Sequence, residues 1–319
     1  MIAYLDDFIE ENGFDQAKVE RLDNDASRRV YYRVSNGQNS YILCDSSQDL
    51  KALQKTIHTN QIFAELGVKV PKIISVDSDQ GYMLIEDFGD KILNKIITPT
   101  NRADYYKKLL SIIYDMQAKT VGKELPLDPY NNERLNKELM KFCDYFLERV
   151  LPIQELAAAR DELLAIFEQE MYPKLESSAN AIVHRDFHVD NLVLCSDGQI
   201  GVIDFQDAVV GSVAYDVVCL LQDARRYVSQ DFEAEMLDYF LSISKYDRKS
   251  FIDSYNALGL QKNLKIIGIF SNLYHNEGRS IYHERCDVVW EYIKRCLPSA
   301  PALEAWCDKF RIIKHHEEL

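Results

Sequence analysis

The run AIVHRDFHVDNLVL, residues 181–194, most restricts what this chain can fold into. Ala181, Ile182 and Val183 on one side, and Leu192, Val193 and Leu194 on the other, read as strands. Between them His184, Arg185, Asp186, Asp190 and Asn191 crowd into a short loop. A plain turn would use Gly, Pro or Asn-Gly. The fold must therefore bury both strands while presenting the polar loop, with Asp186 two residues after His184 and Asn191 five residues further on. A second short strand pair is expected at LVLCSDGQIGVIDF, ending near Asp204.

Burying such strands needs a core. The chain has 319 residues, 47% of them hydrophobic, enough for one large domain or two lobes. Its formal net charge is −14, and the acidity is spread along the chain. No basic face is on offer to DNA, RNA or an anionic membrane, so neither a nucleic acid nor a membrane is expected as a partner. The seven cysteines form no CxxC pair and sit in apolar surroundings such as YILCD and VVCLL. They read as reduced thiols of a cytoplasmic protein. MIAYLDDFIEE lacks the pattern of a signal peptide, and no apolar run approaches a membrane span.

The pattern changes near residue 90. Before it, RRVYYRV (28–34) and SYILCD (40–45) flank Asn36-Gly37, a hairpin signal. Residues 47–67 carry Leu50, Leu53, Ile57, Ile62, Phe63 and Leu66 at helical spacing and stop at Gly67. VPKIISVD and GYMLIEDFG read as two more strands. The expected order is strand-strand-helix-strand-strand. Beyond residue 90, helices are expected over 101–122, 131–150 and 153–171, and from the end of the second strand pair onward. The fold class is α+β, with a small sheet lobe over 1–90 and a larger helical lobe over 91–319.

HRDFHVDN, then IDFQDAVVGSVAYD after a strand, resembles the catalytic segment of the aminoglycoside phosphotransferase group, small-molecule kinases with a protein-kinase-like two-lobe fold. The matching positions are His184, Asp186, Asn191, Asp204 and Asp216. LDNDASRRVYYRV, DFQDAVVGSVAYDVVCLLQDARRYV and GIFSNLYHNEGRSIYHERCDVVWEYI are similar, more narrowly, to the bacterial anomeric kinases of N-acetylmuramic acid and N-acetylglucosamine in peptidoglycan recycling. The resemblance implies ATP as co-substrate, Mg2+, and a small-molecule sugar as acceptor. It makes 1–90 the nucleotide-binding lobe with its hinge, and 91–319 the lobe with the catalytic loop and substrate pocket.

Phosphoryl transfer asks mainly for positioning and charge neutralisation. Asp186 is the expected proton acceptor. Asn191 and Asp204 are the expected metal ligands, an amide and a carboxylate of the hard-oxygen kind magnesium takes. His184 and Asp216 are expected to brace the loop. LIEDFG should offer backbone groups of Glu86, Asp87 and Phe88 to adenine. Gln206, Asp207, Asp223 and Arg225 are candidates for the acceptor pocket. Arg225 or Arg226 is either a partner for an acidic substrate group or a solvated helix cap.

The chain departs from kinases at the phosphates. SYILCD holds no lysine, 57–60 (IHTN) holds no acid, and NDASRRVYYR stands where a glycine-rich loop would be. Ser27 and Arg29 are the expected substitute, with Arg28 in reserve; Arg29, Tyr31 and Arg33 share one strand face. The alternatives are an antibiotic phosphotransferase and a nucleotide-binding regulatory pseudokinase.

Overall fold

Alternating side chains close the first part of the chain into a five-stranded antiparallel sheet. Its strands are β1 (Lys18–Leu22), β2 (Val30–Ser35), β3 (Ser40–Asp45), β4 (Ile73–Asp77) and β5 (Tyr82–Glu86), in the order β1-β2-β3-β5-β4. The computed structural model describes residues 2–14, 16–22, 29–37, 39–176 and 178–314, with 2–6 and 176 described through their backbone alone. Tyr31 lies opposite Cys44 and Arg33 opposite Ile42. At the turn between β2 and β3, the Asn36 N–H donates to Asn39 O at 3.2 Å, and Gly37 takes φ +84°, where a side chain is strained.

Each face of this sheet carries its own core, because successive side chains point to opposite faces. Val34, Leu43, Tyr82 and Leu84 pack with Phe8 and Ile9 of the helix Ile2–Glu11 and with Phe14. Cys44 and Met83 pack with Leu53 of the helix Leu50–Glu65, beside Tyr31, Ile57 and Ile85. Asp49 starts that helix by accepting the Ala52 N–H at 3.0 Å. The helix Ile2–Glu11 and β1 are additions to the expected order. β1 (KVERL) is an edge strand with four of its five residues exposed, so it carries no period-two apolar signal.

Two shorter sheets follow: β6 (Asn180–Val183) with β9 (Val209–Ser212), and β7 (Leu192–Leu194) with β8 (Ile200–Val202). β9 is also an addition; VVGS is short and contains a glycine. The remaining elements are helical, among them Arg102–Ala118, Asn132–Phe142, Ile153–Ile166, Tyr215–Leu221, Gln230–Ser244, Arg248–Glu277, Ile281–Cys296 and Pro301–Lys309. The expected stripe Leu109, Leu110, Ile113 and Met116 is buried. All seven cysteines are buried free thiols. Among the described residues, no helix is long and apolar enough to cross a membrane.

The chain forms two compact units: Met1–Ile97 with Val189–Ala208, and Thr98–His188 with Val209–Leu319. The expected division after residue 90 is one of role; by contact, residues 91–97 and the β7–β8 hairpin group with the sheet unit. The backbone explains this. The Leu194 N–H donates to Lys91 O at 2.9 Å, the Val202 N–H to Lys69 O at 2.7 Å, and Ile92 bridges Val193.

Candidate active site

In the sheet unit, Asn191 directly precedes β7 and Asp204 closely follows β8. Leu192 pairs with Val202, and the Ile203 N–H donates to Asn191 O at 3.0 Å. Both residues therefore sit at the same end of one hairpin. Asp204 is exposed, with φ +63°. The buried Gln206 donates its amide to Asp204 Oδ1 at 2.8 Å and so fixes that carboxylate. Among the described residues no other hydrogen-bond donor reaches it. An amide and a steadied carboxylate at neighbouring strand ends suit a hard cation that keeps some of its waters.

Asp207 forms an ion pair with Lys55 at 3.0 Å, and both are substantially exposed. Lys55 lies on the helix Leu50–Glu65, one residue before Thr56, whose hydroxyl accepts Arg29 Nη1–H at 3.3 Å. The Arg29 guanidinium stands 5.9 Å from the centre of the Tyr31 ring. The Tyr31 hydroxyl is held well above its ordinary pKa by burial, by Cys44 and by Asp204, while Arg29 pulls it down. Arg29, Tyr31 and Asp204 thus share one electrostatic neighbourhood. Ser27 and Arg28 lie outside the described residues.

Arg33 has a different assignment. Its guanidinium holds the Asp87 carboxylate at 2.7 and 3.1 Å and Asp90 at 2.9 Å. Asp87 also accepts the Ser40 hydroxyl at 2.6 Å and the Gly89 N–H at 2.8 Å. Burial pushes its carboxyl up, but Arg33 and Ser40 outweigh this and hold it below the usual range. Glu86 accepts from Lys69 Nζ and from the Lys72 N–H, each at 3.2 Å. Phe88 lies against Gly201 of β8, where an added Cβ would collide with the ring. The Glu86 and Asp87 side chains are thus tied down. The Phe88 N–H and C=O have no backbone partner among the described residues.

In the helical unit, the loop after β6 hangs from Asp216, in the first turn of Tyr215–Leu221. Its carboxylate accepts the His184 N–H at 2.8 Å and the Arg185 N–H at 3.0 Å. Burial pushes this carboxyl up to about 7 against the pull of those two donors. Arg185 is held at φ +77°. The Asp186 N–H donates to His184 Nδ1 at 3.3 Å, and Asp186 O accepts the His188 N–H at 3.0 Å. His184 therefore acts on the loop as an acceptor. Cys219 Sγ–H donates to Arg185 O at 3.1 Å.

A charged network absent from the sequence reading supports Arg185. Its guanidinium binds Glu138 and lies 5.2 Å from the centre of the Tyr130 ring. Glu138 also takes Lys265 Nζ at 2.9 Å and the Tyr130 hydroxyl at 2.6 Å. Burial raises the Glu138 carboxyl, but Lys265 and Arg185 overcome this and hold it at about 2. The signal was present in sequence: Glu138 interrupts the helical stripe Leu135, Leu139, Phe142, all buried. Nearby in the fold, the buried Asp223 accepts the Arg225 N–H at 2.9 Å, with the Arg225 guanidinium at 3.6 Å. Gln206 and Asp207, named with Asp223 and Arg225 as acceptor-pocket candidates, bind Asp204 and Lys55 within the sheet unit.

Residues 18–250 match the phosphotransferase enzyme family, and the chain belongs to that family. It is an enzyme of the kinase class. A relative from Caulobacter vibrioides named N-acetylmuramate/N-acetylglucosamine kinase is 30% identical, over 95% of this chain and 94% of its own. A relative of the same name from Pseudomonas aeruginosa is 28% identical, over 90% of this chain and 86% of its own. The choline kinase LicA from Streptococcus pneumoniae, also solved in complex with AMP, aligns over 92% of this chain and 99% of its own, with TM-score 0.65 and 14% identity. That likeness shows the protein-kinase-like fold.

Proposed function

We propose that this protein is an ATP- and Mg2+-dependent sugar kinase that phosphorylates the anomeric C1 hydroxyl of N-acetylmuramic acid or N-acetylglucosamine. The observation that carries the reaction is the placement of Asn191 and Asp204 at one end of the β7–β8 hairpin, with Gln206 steadying the carboxylate. The sugar rests on the name shared by relatives that align with most of the chain. The AMP complex of LicA supports the nucleotide.

In this reading Asp186 accepts the proton of the acceptor hydroxyl as that oxygen bonds to the γ-phosphorus and the bond to the leaving ADP breaks. Asp216 and His184 hold the loop that aims Asp186. Asn191 and Asp204 hold magnesium, which offsets charge on the phosphates. Arg29 supplies the cation that β3 lacks, with Ser27 and Arg28 beside it in sequence. The backbone at Glu86, Asp87 and Phe88 takes the adenine. Residues 1–97 and 189–208 form the nucleotide unit, and the remainder carries the acceptor pocket with Asp223 and Arg225. Seven buried free thiols suit the reducing cytoplasm.

Steady-state ADP release against N-acetylmuramic acid, N-acetylglucosamine, choline and a panel of aminoglycosides tests this reading. Phosphorus NMR of the product should show a sugar 1-phosphate. A 6-phosphate, or turnover of aminoglycosides alone, overturns it. Nucleotide binding without turnover of any acceptor would make the chain a pseudokinase.

A further inference from the structure

Lys262 lies midway along the 30-residue helix Arg248–Glu277 and is buried. Among the described residues its ammonium donates to a single hydrogen-bond acceptor, the Gln222 carbonyl at 3.0 Å. An ammonium has three donors, and a buried donor without an acceptor is costly. The Gln222 carbonyl closes the helix Tyr215–Leu221, so one proton of Lys262 has a capping role. That role leaves two protons for another acceptor.

The neighbourhood indicates what that acceptor is. Burial, Lys265 and Arg225 push the Lys262 ammonium toward losing its proton, while Cys219 and Asp223 favour the charge. Asp223, the one carboxylate in this set, is already engaged by Arg225. His188 is held neutral by burial, with Arg225, His184 and Lys262 all opposing its charge. Lys265 is neutralised by Glu138, which leaves Lys262 and Arg225 with Asp223 as the one carboxylate of this set. The region also adjoins Asp186. Cys219, whose thiol Lys262 pulls down and Asp216 and Asp186 push up, donates to the carbonyl of Arg185, the residue before Asp186.

We infer that Lys262, aided by Arg225, holds the carboxylate of an acidic sugar and so makes N-acetylmuramic acid, with its lactyl carboxylate, the preferred substrate over N-acetylglucosamine, which lacks one. The assignment rests on the sugar-kinase reading above. A buried ammonium with open donors is worth most to an anion that enters and excludes water. The same charge repels a polycationic aminoglycoside.

The test is kcat and KM for both sugars in the wild type and in Lys262→Met, which keeps the apolar stem and removes the charge. For the muramic acid, kcat/KM should fall about 30-fold or more, mostly through KM, as for a lost charge-assisted contact. For the glucosamine it should change by less than about threefold, since that sugar has no carboxylate for Lys262 to hold. Lys262→Arg should restore part of the preference. Should Lys262→Met fail to fold, the exposed Arg225→Gln decides through the ratio of kcat/KM for the two sugars, which should move several-fold against the muramic acid. Equal losses on both sugars, or a wild type without preference for the acid, overturn the assignment alone. A wild type that phosphorylates neither sugar overturns the sugar-kinase reading and the assignment with it.

Discussion

Arg29 donates to the hydroxyl of Thr56 at 3.3 Å, which ties the residue before β2 to the helix Leu50–Glu65. The helix that would carry a glutamate partner for a strand lysine carries a neutral acceptor for an arginine instead. Thr56 Oγ1 in turn donates to Ala52 O at 2.8 Å, so the acceptor is fixed.

Arg29→Ala is expected to raise the apparent KM for ATP, or lower turnover, by about 1.5–3 kcal/mol, the value of a hydrogen bond to a charged group. Arg29→Lys should recover only part, because an ammonium lacks the planar fork. Thr56→Val removes the tether and leaves the charge, so its effect on KM should be about two- to fivefold. ATP kinetics of the three folded variants check this. An Arg29→Ala enzyme with wild-type ATP kinetics would remove Arg29 from the phosphate site.

Asp186→Asn keeps the side-chain shape and loses the proton acceptor. Turnover should fall by roughly 10²–10⁴ while nucleotide still binds. Asp204→Ala should instead weaken magnesium-dependent nucleotide binding. Calorimetric titration with ATP, with and without magnesium, set beside turnover separates the two. Near-full turnover in Asp186→Asn would end its assignment as the base.

Glu138 links acid stability to Arg185. Its carboxyl titrates at about 2 in the folded protein against an ordinary 4.5, because Lys265 and Arg185 outweigh burial. The depressed value means that this stabilisation is complete above pH 4.5 and drains away as the pH falls toward 2. Glu138→Gln should flatten that part of the stability curve, whose slope from one group reaches at most about 1.4 kcal/mol per pH unit. At neutral pH the variant should lose about 3–5 kcal/mol, since two buried cations lose their counter-charge. Urea unfolding from pH 3 to 7 measures both effects. Parallel curves for wild type and variant would show that Glu138 carries no such linkage.

Asp216→Asn offers one oxygen and an NH2 group where two backbone N–H groups now meet a carboxylate. At least one hydrogen bond is lost, at about 1–3 kcal/mol of stability. The loop bearing Asp186 loosens, and kcat should fall by about 10–100-fold, since small misplacements are costly in phosphoryl transfer. Urea unfolding and kcat are measured together. A stability loss with unchanged kcat would confine Asp216 to packing.

Much of the fold and the outline of the candidate site were legible in the sequence because their signals are local. β2, β3 and β5 announce themselves by alternation, the β2–β3 turn by Asn36-Gly37, and the helix Leu50–Glu65 by its apolar period. The loop 184–188 and the pair Asn191 and Asp204 stand at short spacings around strands that are themselves readable. The helix Ile2–Glu11 was also within reach, since Leu5, Phe8 and Ile9 lie at helical spacing. β1 was not, because an exposed edge strand has no buried face to print a pattern.

By itself the sequence determined which segments become strands and helices and which polar residues the loops must present. Only the tertiary structure decided how the charges pair. Arg185 and Glu138 are 47 residues apart, Glu138 and Lys265 are 127 apart, and Lys55 and Asp207 are 152 apart. Of the arginines on one strand face, Arg33 was committed to Asp87 and Asp90, while Arg29 was left beside Tyr31 and Thr56. Backbone preference is set by neighbours in the chain, so a sequence can state it. The fate of a charge is set by distance and burial in the folded chain, and those exist only once the core has closed.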